Sequence, residues 1–336
     1  MEDLFDSKNE FSKAKSNLRS GEHKLMEKKL IEHRCEDGIT DNTRYKLTES
    51  AKRTLLAEMK IDASAEKIAD IIDSATLGQK QLFFPKDIQR QVEELGRFLQ
   101  PENFQKIQER MKGKGFRNGF ACLFYGSPGT GKTETVLQIA RQTGRDLMQV
   151  DIAGLRDKWV GESEKNIKEV FARYRKLCKN SEVMPILFFN EADAIINKRT
   201  ENVEHSVDKM DNAMQNIILQ EIEDLDGILI ATTNLTSNLD KAFERRFLYK
   251  VEFHKPDTDV KTKIWCSMLK DISIEDAHQL ASHFDFSGGQ IENIARKRTV
   301  DYILSGKFAS LTEIEDYCRA ELLADKKQRK PIGFSL

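Results

Sequence analysis

Between residues 86 and 254 the chain repeats one pattern. Short continuous apolar runs at 120–125, 147–152, 186–189 and 228–232 are each closed by polar or glycine-bearing turns and separated by stretches of helical periodicity. Runs that are apolar on every residue, not on alternate ones, predict strands buried on both faces, and strands alternating with helices predict a parallel sheet in an α/β sandwich. Beyond Lys255-Pro256-Asp257 no strong strand pattern follows. Residues 260–269, 274–283, 289–304 and 311–323 have helical spacing, which predicts a small helical lid domain over 255–325. Residues 326–336 hold a charge run, Lys326-Lys-Gln-Arg-Lys, expected to be a solvated tail.

The N-terminal part reads differently. Helical spacing at 22–29 gives way to an alternating run at 30–35, a polar turn at 36–38, a second alternating run at 44–48 and a helix at 49–59. This order resembles the end of a winged-helix module, which makes residues 1–60 a small winged-helix-like domain. A structural or protein-docking domain fits the same residues, because basic side chains here are matched by acidic ones. Residues 61–85 are expected to be a helical linker, ending where Pro85 punctuates entry into the next unit.

With 336 residues there is room for two or three domains, and 39% hydrophobic with 32% charged residues describes a globular, helix-rich protein. Acid and base cancel to a net charge of -1, so the chain as a whole has no bulk attraction for nucleic acid, although a local basic patch is compatible with that total. The N-terminal stretch has no continuous apolar core of the export type, and no apolar run approaches the roughly 20 residues that span a bilayer. Five cysteines stand far apart with no C-x-x-C pair, which argues against a zinc site or a disulfide framework. A cytoplasmic protein is expected.

The chemistry concentrates after the first buried run. Residues 121–125 lead into Gly126-Ser127-Pro128-Gly129-Thr130-Gly131-Lys132-Thr133 and then into a helical stretch, the strand-loop-helix context of a phosphate-binding loop. Glycines let the backbone turn left-handed and wrap phosphate with N–H groups at the positive end of the following helix. Lys132 brings a full positive charge to the β and γ phosphates, and the Thr133 hydroxyl is offered to Mg²⁺. ATP and Mg²⁺ are the expected ligands.

Further motifs, in order, resemble those of AAA-type P-loop ATPases over residues 86–325. The run at 185–189 ends in Asn190-Glu191, similar to the Walker B segment with Asn in place of Asp. The resemblance implies that Glu191 is the general base for the attacking water and that residue 190 serves the magnesium shell. Asn190 retains an acceptor oxygen without the charge. A natural variant, an introduced change, and a site adapted to bind more than to hydrolyse all fit it. Asn234 at the end of the next run matches the sensor-1 position, and Arg245-Arg246 resemble the arginines that act as fingers in a neighbouring subunit's site. Residues 286–291 resemble the lid turn that touches nucleotide, through Gly288, and Gln290 stands where some relatives carry a sensor-2 arginine. Trp159-Val160, in Lys-Trp-Val-Gly-Glu-Ser-Glu-Lys, is similar to the substrate-gripping pore loop of proteins such as katanin and spastin.

The resemblance implies an ATPase acting as a ring, a homo-oligomer of six copies, that remodels or unfolds protein substrates drawn past Trp159. Two other readings stand beside it: a nucleic-acid-associated ATPase working through the N-terminal module, and a slow nucleotide switch limited by Asn190.

Overall fold

A computed structural model describes residues 16–20, 23–36, 39–48, 51, 69–152, 163–197, 206–236 and 239–328. The chain divides into two compact units, Met1–Ile68 and Ala69–Leu336.

The first unit contains a helical turn, α1 (Lys24–Glu27), and an antiparallel strand pair, β1 (Ile31–Glu36) and β2 (Ile39–Leu47). Ile31 faces Leu47 and Glu36 faces Ile39, with a bulge between His33 and Arg34. Strand β2 starts earlier than the apolar alternation at 44–48, because pairing within a two-stranded ribbon uses backbone groups whatever the side chains are. Apart from Ala51, the helix expected at 49–59 lies largely outside the described residues.

The second unit is built on a six-stranded sheet. Its strands are β3 (Ala69–Ile72), β4 (Phe120–Gly126), β5 (Leu147–Asp151), β6 (Ile186–Asn190), β7 (Ile228–Thr233) and β8 (Tyr249–Phe253). They lie in the order β3-β5-β6-β7-β4-β8, all parallel except β3, which pairs antiparallel with β5. The four central strands are the four continuous apolar runs. Their buried faces on both sides explain why the sequence does not alternate there. Helices α2 (Lys86–Phe98), α3 (Pro101–Gly113) and α4 (Lys132–Thr143) precede β5, and α5 (Ser163–Asn180), the single turn α6 (Asp193–Ile196) and α7 (Ser206–Glu223) lie between β5 and β7. Ile88 and Leu95 of α2 and Val136 and Ile139 of α4 pack with Phe120, Phe124, Phe188 and Ile230 in one core.

Both edge strands escaped the sequence pattern. Strand β8 buries Val251 and Phe253 but exposes Lys250 and Glu252, as an edge strand with one wet face does. Of the helical linker expected over 61–85, residues 61–68 lie outside the described residues, and from residue 69 on strand β3 replaces it: Ala69 to Ile72 add to the sheet beside Val150 to Leu147. The segment that follows is also not an α-helix. Its backbone is satisfied by side chains of α4 instead, with Arg141 Nε donating to Leu77 O at 3.0 Å and Gln138 Nε2 to Gly78 O at 2.9 Å. Lys80 adds an ion pair with Glu134 at 2.8 Å.

After a short helix α8 (Lys241–Glu244) and strand β8, four helices close the unit: α9 (Thr258–Met268), α10 (Ile274–His283), α11 (Gly288–Ser305) and α12 (Leu311–Gln328). Trp265, Leu280, Phe286 and Ile294 centre a second core. Consecutive phenylalanines join the two cores. Phe83 packs against the helical one, while Phe84 packs against the sheet core, edge-on to Phe253 at 5.6 Å.

Tyr174 of α5 fastens the start of two strands. Its buried hydroxyl lies 2.8 Å from Pro185 O and accepts the Ile228 N–H at 2.8 Å. Tyr174→Phe leaves both backbone groups buried and unpaired, a loss of about 1–3 kcal/mol. It should appear as a lower denaturant midpoint with an unchanged slope.

Candidate active site

The site forms at the carboxyl ends of the central strands, where β6, β7 and β4 lie side by side. Strand β4 ends at Gly126, whose φ of +133° disfavours any side chain; a Cβ there would stand 2.2 Å from Phe253 O on β8. Gly129, at φ +72°, is pressed from the other side by the helical domain, and a Cβ would meet Ser287 Oγ at 2.6 Å. The loop then enters α4 through Gly131, in the left-handed conformation. Thr130 Oγ1 donates to Ser127 O at 2.8 Å and closes the turn.

Lys132 opens α4 and folds back over the loop. Its Nζ donates to Gly126 O and Ser127 O, each at 2.8 Å. Only 7% of the residue is exposed, and burial pushes its pKa down to about 8 against the opposing pull of the Asp193 and Glu191 carboxylates. Thr133 Oγ1 donates to Asn190 Oδ1 at 2.9 Å, and Thr232 Oγ1 donates to the same oxygen at 3.0 Å. Thr232 Oγ1 also accepts the Glu191 N–H at 3.1 Å. Glu191 itself sits at φ +54°, a conformation that costs a non-glycine residue roughly 1–2 kcal/mol and turns its carboxylate into the open cleft.

Pro128, Gly129, Lys132, Thr133, Glu191, Thr232, Thr233 and Asn234 line one cleft of about 140 Å³. The helical domain reaches it directly. Gly289 N donates to Gly129 O at 2.9 Å, and a Cβ on Gly288 would lie 3.6 Å from that same oxygen. Gln290 is committed to capping α11: its Oε1 accepts the Ser287 N–H at 2.9 Å and its own N–H bonds Ser287 Oγ. That reciprocal cap explains a glutamine at this position.

The two arginines separate. Arg246 is held within its own chain, with Nη1 donating to Ala242 O at 2.8 Å and Nη2 paired with Glu223 at 2.8 Å. Arg245 is exposed, with no side-chain partner among the described residues. Neither lines the cleft. Trp159 and Val160 lie outside the described residues. Asp193, Thr232 and Thr233, which sequence reasoning did not assign, belong to the site. Their signal was faint: an aspartate three residues after Asn190 and two threonines just before Asn234.

The residues present fit a magnesium nucleotide. Lys132 already bonds two oxygens with the ammonium that a phosphate would claim, and the loop glycines leave N–H groups at the start of a helix. Thr133 Oγ1 and Asn190 Oδ1 are hard oxygen donors of the kind Mg²⁺ takes together with water and phosphate.

A sequence model of the family described as "ATPase family associated with various cellular activities (AAA)" matches residues 122–255. Over 250 residues the chain is 33% identical to a proteasome-activating nucleotidase of Methanococcus vannielii, covering 70% of this chain and 56% of that protein. It is 28% identical over 223 residues to Protein SAV of Sulfolobus acidocaldarius, 62% of this chain and 27% of the relative. Human fidgetin-like protein 1 is 26% identical over 230 residues, 64% and 31% of the two chains. The chain thus spans from about a quarter to just over half of the length of these relatives.

The lysine gives a pH-dependent signature. In the free site Lys132 titrates at about 8, whereas a bound triphosphate holds it charged. Nucleotide binding above that pH must take up a proton, and affinity should fall as pH rises through 8. Calorimetry in buffers of different ionisation enthalpy should show uptake approaching one proton at about pH 9 and little at pH 7; Lys132→Met should remove both binding and uptake. The arginines should separate too. Arg246→Ala should lower the unfolding midpoint through the lost tie to Glu223, while Arg245→Ala should leave it within about 0.5 kcal/mol of the parent.

Proposed function

Because the chain carries an ATPase domain of the AAA family at residues 122–255, we propose that it works as a ring of copies that couples ATP hydrolysis to the remodelling or unfolding of protein substrates. The backbone of the loop and Lys132 hold the phosphates. Thr133 and Asn190 would hold Mg²⁺, which when bound would neutralise charge on the phosphates. Glu191 takes the proton of the attacking water, and Asn234 orients that water against the γ-phosphate.

One observation carries the ring. Lys132, Thr133, Glu191 and Asn234 share a cleft with no arginine among the described residues that line it, while Arg245 stands exposed outside it. A site that lacks its finger, on a chain that displays one elsewhere, is completed by a second copy; the ring of six copies extends that contact around a closed circle. Arg246 is engaged at home, so the finger role falls to Arg245. A protein substrate is supported by the name of one relative, a proteasome-activating nucleotidase, and by the aromatic Trp159 followed by Val160 in the sequence.

A second reading has its own observation. Asn190 offers Thr133 and Thr232 a neutral oxygen where a carboxylate would add charge, which favours a slow nucleotide switch. Hydrolysis assays separate the two. Under the remodelling reading Glu191→Gln retains ATP binding and loses about 100-fold or more in turnover, Arg245→Ala loses turnover only in the assembled protein, and Trp159→Ala keeps turnover but fails to unfold a tagged substrate. A dilute monomer that hydrolyses ATP at the full rate would remove the ring. A parent that is inactive until Asn190→Asp is introduced would establish the switch.

A further inference from the structure

Asp193 has no part in the chemistry assigned above, yet its carboxylate is bonded to the catalytic end of β7. Its Oδ1 accepts the Thr233 hydroxyl at 2.5 Å and the backbone N–H of Asn234 at 2.9 Å. Thr233 Oγ1 in turn accepts the Leu235 N–H at 3.1 Å. Thr232, on the opposite face of the same strand, bonds Asn190 and Glu191. Consecutive threonines thus tie the end of β7 to the segment after β6 on both faces.

The far end of the short helix α6 makes a matching attachment. Ile196 O accepts the Asp240 N–H at 3.0 Å, and Asn197 forms a bridge with Leu239. Residues 193–197 therefore hold both ends of the loop that leaves β7 with Asn234 and arrives at the helix preceding Arg245. A carboxylate suits the Asp193 position because it is purely an acceptor, and one of its oxygens can take two donors in charge-assisted bonds.

We infer that Asp193 is the positioning residue for Asn234, fixing its backbone so that the amide side chain meets the γ-phosphate and the water activated by Glu191. The inference rests on the roles proposed above for Glu191 and Asn234. The bond goes to the Asn234 backbone itself, so a shift there carries the side chain with it. Displacement of about 1 Å in a reacting constellation is enough to cost about 100-fold in rate.

Steady-state hydrolysis and ATP titrations of the full-length assembled protein test this. Asp193→Asn should lower kcat about 10-fold and Thr233→Val about 10-fold to 100-fold, with KM and ATP affinity within about 2-fold of the parent. Thr233→Ser, which restores the hydroxyl, should recover most of the rate. In an Asn234→Ala background Asp193→Asn should cause no further loss, because the residue acts through Asn234. If Glu191→Gln is inactive while Asp193→Asn and Thr233→Val turn over like the parent, the inference is overturned and the site assignment stands. If Asp193→Asn costs as much without Asn234 as with it, its role is general support of the fold and the inference is again overturned. A Glu191→Gln protein as active as the parent would instead refute the site assignment beneath it.

Discussion

One oxygen atom aligns the site. Asn190 Oδ1 receives the hydroxyls of Thr133, which follows β4, and of Thr232, on β7, while Asn190 itself ends β6. Three chain segments from three strands converge on that acceptor. Because β7 lies between β4 and β6 in the sheet, the bonds reach across the central strand, and the cleft inherits its width from strand spacing. The Glu191 N–H bond to Thr232 then fixes the left-handed turn at Glu191, the conformation that brings the carboxylate out of the sheet edge. Without the stitch at Asn190, the Thr133 hydroxyl and the Thr232 hydroxyl that holds the Glu191 N–H would lose their shared acceptor.

The same loop is where two separate cores meet. Gly126 is backed by Phe253 of the sheet, Gly129 is covered by Ser287 and Gly289 of the helical domain, and a Cβ on Gly131 would stand 3.3 Å from Phe84. Phe84 belongs to the sheet core and its neighbour Phe83 to the helical one. Any displacement of the loop would therefore reach both cores through close contacts. Tight packing of this kind has few continuous deformations available, so coupled movement takes the form of one body shifting against another.

What could be read from the sequence follows from how local each feature is. The phosphate loop was legible because its glycines, Lys132 and Thr133 are consecutive and each has a chemical reason to be there. The four central strands were legible because burial on both faces forces a continuous apolar run. Strands Ala69–Ile72 and Tyr249–Phe253 were not, since an edge position asks mainly for backbone pairing, and the backbone at Leu77 and Gly78 is held by side chains of the phosphate-loop helix. Asp193 and Thr233 were missed for a related reason: their contact exists only once two strands distant in the chain lie side by side. Arg245 and Arg246 look equivalent in sequence, and Glu223, on another helix, is what distinguishes them.

The neutral residue at position 190 has an electrostatic consequence for the whole cleft. An amide oxygen can accept both threonine hydroxyls in the same geometry, without the charge-assisted strength of a carboxylate, so the geometry does not require a charge there. The negative groups acting on Lys132 are Glu191 and Asp193, and even together they leave its pKa below the ordinary lysine value, because burial dominates. A third carboxylate would raise that pKa and strengthen the attraction for Mg²⁺, but it would also repel an incoming triphosphate. With Asn190 the balance shifts toward the anion. The loop N–H groups and Lys132 would then supply the main attraction for a phosphate, and a bound metal would depend more on the nucleotide's own oxygens than on the protein.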